Sequence, residues 1–241
     1  MYRLRTLLQM RALRAVRGLI AAVCVVSATA LLASNAWATD QEAPIEPAPA
    51  SRLVLEPPLG AASGSFEPHV VDLSLPFWHS AGLMLGMRLS EAVLWPHPFA
   101  ETRPGVLAQR YSAAFTQPPK WDSRRPWFEW DGDHYQVNVI GHGLFGAELY
   151  YRPRACGWSV LASLGFAAGA SAIWEYGIEA SGVRPSAEDL VYTPLAGALL
   201  GEFRLWSFRQ SKQIHARFLR GLVRGIVDPF GELERALGTP C

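Results

Sequence analysis

The chain has 241 residues, of which half are hydrophobic and only 18% are charged, so it is long enough for one domain with appendages. Residues 1–38 hold five of the 22 basic residues and no acid, which leaves 17 bases against 21 acids, a net charge of −4, in the rest. A mildly acidic chain does not favour nucleic acid as a partner, because nucleic-acid binding requires a basic surface.

The first 38 residues have the parts of a secretory signal peptide. A basic segment ends at Arg17, an apolar run follows over residues 18–32, and Ala36-Trp37-Ala38 forms an A-x-A cleavage site. An uncleaved anchor helix is the alternative. The sequence therefore predicts an exported protein, located in the periplasm or at a membrane of a bacterial envelope.

The next segment, residues 39–64, is rich in Pro, Ala and Glu and has no periodicity, so it is predicted to be a disordered linker. A single helical domain is expected over residues 65–238. Its first helix is predicted at residues 76–95, between two prolines that suit a helix start and a helix stop. Export would allow a disulfide between Cys156 and Cys241, or they remain two thiols.

Residues 96–141 contain six prolines and many aromatic residues, so mostly irregular structure is expected, with a short helix at 106–115 and a turn at 130–134. Gly141-His142-Gly143 then opens a helical run. His142 is a candidate metal ligand or catalytic base. A single histidine is, however, more often a polar group with a structural partner.

The centre of the domain is predicted to be a tightly packed helical hairpin at residues 156–203. A run of 20 uncharged residues, many of them small, precedes Glu175. Gly165 and Gly169 have the spacing of close helix packing, and a second set of small residues recurs every four positions. The sequence predicts that the two sets face each other, either in a hairpin that dips into a membrane or in a soluble core: Gly165, Gly169, Thr193, Gly197 and Gly201.

Carboxylates lie near the turn of this hairpin. Glu175 and Glu179 are four residues apart and share a helix face, and Asp189 lies across the turn, just after the predicted N-cap Ser186. Such a cluster suits a metal ion or general acid–base chemistry. The alternative is that these residues bond the amides of the turn and Arg184, or are solvated.

Four motifs carry a resemblance to a known family. They are W-E-x-x-x-E from Trp174, P-S-x-x-D from Pro185, T-P-x-x-G-x-x-x-G-E from Thr193 and D-P-x-G-x-x-x-R from Asp228. Over residues 95–237 the chain resembles a bacterial exported family catalogued as a domain of unknown function (three-nine-four-three). A fainter similarity links it to VanZ-like membrane proteins. The resemblance implies that the hairpin is the family's core and supplies no substrate.

The C-terminal arm is basic. Apolar residues recur at helical spacing within residues 204–227, which predicts a basic amphipathic helix suited to an anionic membrane surface. A soluble helix whose arginines pair with acids is the alternative. The residues assigned to the membrane surface are Arg204, Arg209, Lys212, Arg217, Arg220 and Arg224.

The sequence thus predicts a mainly α fold, a small-residue-packed hairpin with flanking helices. The predicted function is that of an exported, membrane-associated envelope protein with a structural or interaction role, whose partner is a membrane lipid or an envelope protein. An envelope hydrolase using Glu175, Glu179, Asp189 and His142 is the alternative. Because the chain lacks a P-loop, a dinucleotide fingerprint, H-E-x-x-H and G-x-S-x-G, we predict no nucleotide, no cofactor, no assigned metal and no serine triad.

Overall fold

The computed structural model describes residues 52–54, 70–239 and 241, and these are mainly α-helical. The predicted signal peptide and most of the predicted linker lie outside the described residues. The described residues divide into two compact units, one that ends at Leu205 and includes Cys241 and one that begins at Trp206. Each unit is described by itself below.

A short two-stranded sheet opens the described chain. Strand β1 (Arg52–Val54) pairs with β2 (Val70–Asp72) in antiparallel register, with Leu53 opposite Val71. The linker prediction was wrong for the three residues of β1, because the polar composition of the whole segment hides a short apolar run that has a strand to pair with.

Three helices follow β2. Helix α1 (Ser74–Leu94) and helix α3 (Pro104–Thr116) confirm the two helices predicted in this part of the chain, and the four-residue α2 (Pro96–Phe99) lies between them. Helix α3 begins at a proline, whose missing N–H costs nothing in a first helical turn. Arg88 and Glu91 on α1 form an ion pair, with Nη1 and Oε2 3.6 Å apart.

The predicted hairpin lies in a group of three long helices and two π-helical segments. A π-helix (Gln136–Gly141) leads directly into α4 (His142–Ala155). Helix α5 (Val160–Ile173) is capped by Ser159 and continues into a second π-helix (Trp174–Ile178) and a 3₁₀ turn (Glu179–Ser181). Helix α6 spans Ala187–Ser211.

The glycines of α6 pack on α4, which corrects the predicted packing. A Cβ atom on Gly197 would overlap the backbone of Gly146, and one on Gly146 would overlap the backbone of Thr193. Gly201 lies equally close to the ring of Tyr150. Gly165 and Gly169 instead lie on an exposed face of α5, with nothing within 4 Å of a Cβ placed there.

The physical reason is that α4 supplies both surfaces. Gly146 of α4 lets α6 pack closely against it, and larger residues of α4 pack against the inward side of α5. The apolar core of this unit is formed by Met84, Phe145, Leu149, Tyr150, Ala167, Ala170 and Trp174. Cys156, at the end of α4, forms a disulfide with Cys241, with the two Cα atoms 4.8 Å apart.

No helix in the described part of the chain is long and apolar enough to cross a membrane. In the unit of residues 206–240, α7 (Arg217–Val227) and α8 (Pro229–Ala236) are separated by Asp228, whose side chain caps α8 by accepting from the N–H of Gly231. The single amphipathic helix predicted over residues 204–227 was therefore wrong. The helical spacing of the apolar residues continues through residues 212–216, where the helix itself is interrupted because 3₁₀-type hydrogen bonds end α6.

Candidate functional site: a buried carboxylate–histidine cluster

Three of the four predicted site residues meet in the interior of the larger unit. His142, Glu175 and Asp189 each offer a ligand atom, and these atoms lie within 4.8 Å of one another. Their exposed fractions are 8%, 1% and 2%. The three residues are spread over 48 positions of the chain, so only the tertiary fold brings them together.

Two departures from regular α-helix place two of these side chains. His142 is the first residue of α4 after one π-helix, and Glu175 lies inside the other. A π-turn inserts one residue into a helix and changes where the following side chains point, and such turns are common at functional sites. Both π-helices therefore help to aim their side chains at the same point.

The first turn of α6 places Asp189. As predicted, Ser186 caps this turn, with its Oγ accepting from the N–H of Asp189 at 3.1 Å. The N–H of Ser186 donates to Glu175 Oε2 at 2.8 Å, so Glu175 does bond an amide of the turn. The predicted bond to Arg184 is not formed, because Arg184 donates to Gln117 Oε1 instead.

Thr193 fixes the orientation of the imidazole. Its Oγ1 lies 3.0 Å from His142 Nδ1, and Nε2 points toward Asp189, 3.6 Å from Oδ2. That second distance is too long for a hydrogen bond. Thr193 was predicted only as a packing residue, and it serves the histidine as well.

Burial raises the pKa values of the carboxyl groups in this region. Burial and then the charge of Glu179 raise the pKa of Glu175 to about 9, and burial followed by the charge of Glu175 raises the pKa of Asp189 to about 9. Burial and the charges of Glu91 and Asp189 raise the pKa of Glu179 to about 8. At neutral pH these groups therefore favour their protonated form unless a cation is present.

The histidine is shifted in the opposite sense. Burial lowers the pKa of His142 to about 4, although the charge of Asp131 opposes the shift. The imidazole is therefore neutral at neutral pH, and a neutral imidazole has a lone pair for a metal ion or a proton.

Sequence reasoning missed three acids that surround this cluster. Asp131 and Asp133 were interpreted as turn residues, yet both contribute negative charge here, and Glu91 acts on Glu179 from α1. Asp131 is held by Asn138, whose Nδ2 donates to its Oδ1 at 2.8 Å. The available signal in the sequence is the pair of aspartates immediately before His134. This pair lies far from Glu175 in the chain, so the sequence does not indicate that its charges act on the cluster.

Two oxygen atoms of the cluster accept no hydrogen bond. Glu175 Oε1 and Asp189 Oδ1 are both fully enclosed, and within the described residues neither accepts from an N–H or a hydroxyl group, although the carboxyl group of Glu179 lies within bonding reach of Glu175. Buried polar atoms are nearly always paired, so each exception needs an explanation. The arrangement offers a neutral nitrogen and carboxylate oxygens to one point, which suits a bound cation or the transfer of a proton.

A second buried network accounts for one predicted membrane-surface residue. Glu148 on α4 lies between Arg204 Nη2 at 2.6 Å, Arg152 Nη2 at 3.0 Å and His79 Nε2 at 3.1 Å. Burial alone would raise the pKa of Glu148, but the hydrogen bond from His79 and the two arginine charges outweigh it and lower the pKa. Arg204 is thus a structural ion-pair residue, and its assignment to a membrane surface was wrong.

The remaining basic residues of the arm divide into two groups. Arg224 stacks over the ring of Phe208 and pairs with Glu232 at 2.8 Å, so it too is engaged within its own unit. Among the described residues, the other four form no ion pair, and all but the half-buried Arg220 are exposed: Arg209, Lys212, Arg217 and Arg220.

The comparisons with known proteins agree with this core. Residues 127–230 match the model of a domain of unknown function, DUF3943. The DUF3943 match includes the three cluster residues and Glu179, together with the close contact between Gly146 and Gly197, and it confirms the predicted resemblance over these residues. The fainter similarity to VanZ-like proteins stays a prediction. No curated protein and no solved structure matches the chain.

Proposed function

We propose that this chain is an exported, membrane-associated protein of the bacterial envelope that acts through binding rather than catalysis. The observation that supports this most directly is the surface of α7. Phe218, Leu222 and Ile226 recur every four residues and are exposed by 74%, 36% and 72%. An exposed apolar stripe on a helix that also carries arginines is typical of helices that lie on anionic membranes.

The cations of the arm complement such a surface. Arg217 opens α7 and is exposed, and Arg209 and Lys212 are exposed shortly before it. Each basic residue near an anionic bilayer contributes roughly 1 kcal/mol of attraction. Export is supported by the disulfide between Cys156 and Cys241, because disulfides persist in oxidising compartments.

Vesicle binding tests this proposal. The purified chain should co-sediment with vesicles containing anionic phosphatidylglycerol and bind neutral phosphatidylcholine vesicles at least tenfold more weakly. The double variant Phe218→Ser/Ile226→Ser and the double variant Arg217→Ala/Arg220→Ala should each lose most of this binding. The matched control is Leu161→Ser, which removes an equally exposed apolar side chain, 79% exposed, from α5.

Salt separates the contributions of the arm and the hairpin. If the arm alone holds the protein, high salt should release it from membranes, because salt screens surface charges. Retention in high salt combined with a loss of binding in Leu161→Ser would assign the attachment to α5. A protein that binds neither type of vesicle would contradict membrane association altogether.

The alternative function, an envelope hydrolase, is favoured by one observation: the fold brings His142, Glu175 and Asp189 together. Against it, the cluster is enclosed, and none of its residues lines the cavity of about 220 Å³ bounded by Arg110, Gln117 and Arg184. Glu175→Gln and Glu179→Gln decide between the two. Variants that accumulate normally yet behave as deletions in the cell would establish the catalytic role.

A further inference from the structure

We infer that His142, Glu175 and Asp189 form a binding site for one divalent transition-metal ion, of the kind represented by Zn²⁺. This inference is independent of membrane binding. It also changes the expectation from the sequence, which predicted no metal. The evidence is the geometry of the three ligand atoms, the two buried oxygens without donors and the orientation of the imidazole.

The spacing of the ligand atoms fits a common ion. Ligands about 2.1 Å from a metal lie about 3 Å apart when adjacent and about 4.2 Å apart when opposite. The three atoms here lie within 4.8 Å of one another, so a small inward movement brings all three to bonding distance. His142 Nε2 and Asp189 Oδ2, at 3.6 Å, are too far apart to bond each other and close enough to share an ion.

The hydrogen bonds around the cluster leave the ligand atoms available. The backbone of Ser186 occupies Glu175 Oε2 and leaves Oε1 without a donor. Thr193 lies against His142 Nδ1, which leaves Nε2 facing the carboxylate. A metal-binding histidine usually bonds a partner through its other ring nitrogen in this way.

The ligand types favour a transition metal over Mg²⁺ or Ca²⁺. Magnesium and calcium prefer oxygen ligands throughout, whereas an imidazole nitrogen beside carboxylates suits zinc, manganese or iron. With a cation bound, the carboxylates of Glu179, Asp131 and Asp133 add negative charge around the three ligands.

Metal titration of the full chain tests the inference. Metals are first removed with a chelator and dialysis. Calorimetry should then show one equivalent of Zn²⁺ bound with a Kd on the order of 1 μM or lower, and Mg²⁺ should bind at least ~100-fold more weakly. Asp189→Asn and His142→Gln should each weaken Zn²⁺ binding at least tenfold. The control is Glu188→Gln, because Glu188 is equally buried and adjacent in sequence but bonds the N–H of Trp130.

A second measurement needs no variant and so does not depend on whether the variants fold. With ¹⁵N-labelled histidine, Zn²⁺ should shift the Nε2 resonance of one of the six imidazoles. Absence of stoichiometric binding, an unshifted imidazole spectrum, or equal affinity in the wild type and in both ligand variants would each overturn the site.

Discussion

At the scale of single residues, the chain concentrates buried charge at two points with opposite consequences. Around Glu148, arginines neutralise the carboxylate, and the ion pairs are satisfied. Around Glu175 and Asp189, no arginine or lysine pairs with the carboxyl groups among the described residues, and protons or a cation must balance them. The first arrangement stabilises the fold, and the second is costly without a ligand.

The cluster predicts an unusual pH dependence for the metal-free protein. The pKa values of Glu175 and Asp189 are about 9 in the folded state and near 4 when unfolded, so the folded state holds protons that the unfolded state releases. The stability that these two protons contribute is therefore fully present below about pH 4. It falls as the pH rises toward 9, by about 1.4 kcal/mol per pH unit for each proton that the folded state retains. The melting temperature, measured in the presence of a chelator, should decrease from pH 5 to pH 7 and again from pH 7 to pH 9.

Two comparisons attribute this slope to the cluster. The double variant Glu175→Gln/Asp189→Asn should show a flatter decrease between pH 5 and 9, because neither amide titrates. Saturating Zn²⁺ should raise the melting temperature most at pH 8 to 9. A melting temperature that rises steadily from pH 5 to 9 in chelator would contradict the assignment.

Glu148 gives a second prediction at this scale. Glu148→Gln removes the carboxylate charge that faces the buried guanidinium of Arg152, only 2% exposed, and breaking a buried pair costs about 3–5 kcal/mol. The control is Glu202→Gln, since Glu202 pairs with Arg154 but its side chain is 43% exposed, and such pairs contribute about 0–1 kcal/mol. Urea denaturation at pH 7 measures both. Similar losses in the two variants would show that burial does not decide the difference.

At the scale of elements, α4 organises the larger unit. It accepts α6 through Gly146, packs against α5 and α1, and begins at His142. The same helix therefore holds the structural contacts and one residue of the candidate site. A change that separates α4 from α6 is expected to disturb both, because Thr193 contacts Gly146 and bonds His142.

The substitution Gly197→Leu tests the packing of α6 on α4. The new side chain would overlap the backbone of Gly146, which cannot move aside, so a loss at or above the upper end of about 1–3 kcal/mol for overpacking is expected. Protein abundance and melting temperature measure it. The matched control is Gly165→Leu, which meets open space and should change stability by less than about 1 kcal/mol. Equal losses in both variants would restore the packing predicted from sequence.

At the scale of the whole molecule, the proposal of export and the disulfide support each other, because disulfides persist in oxidising compartments. Cleavage after Ala38 would give a mature chain that begins at Thr39, and N-terminal mass spectrometry of the exported form checks this. Recovery of an intact Met1 on membrane-bound protein would instead identify an anchor.

The disulfide predicts a dependence of stability on redox state. Cys156 and Cys241 are 85 residues apart, and closing a loop of that length typically stabilises a protein by about 2–4 kcal/mol. Reduction, or the double variant Cys156→Ser/Cys241→Ser, should lower the melting temperature of the purified chain. Equal melting temperatures with and without a reducing agent would show that the pair does not contribute.

The sequence by itself determined the helical class, the positions of α1 and α3, the N-cap at Ser186 and the family resemblance, because caps, prolines and periodicity act within a few residues. It also selected His142, Glu175 and Asp189 as candidates. Only the tertiary structure decided that α6 packs on Gly146 instead of Gly165, and that the three candidates meet. A small-residue stripe specifies how closely a helix can be approached but not by which helix, and ligands on separate elements leave no spacing to detect in the chain.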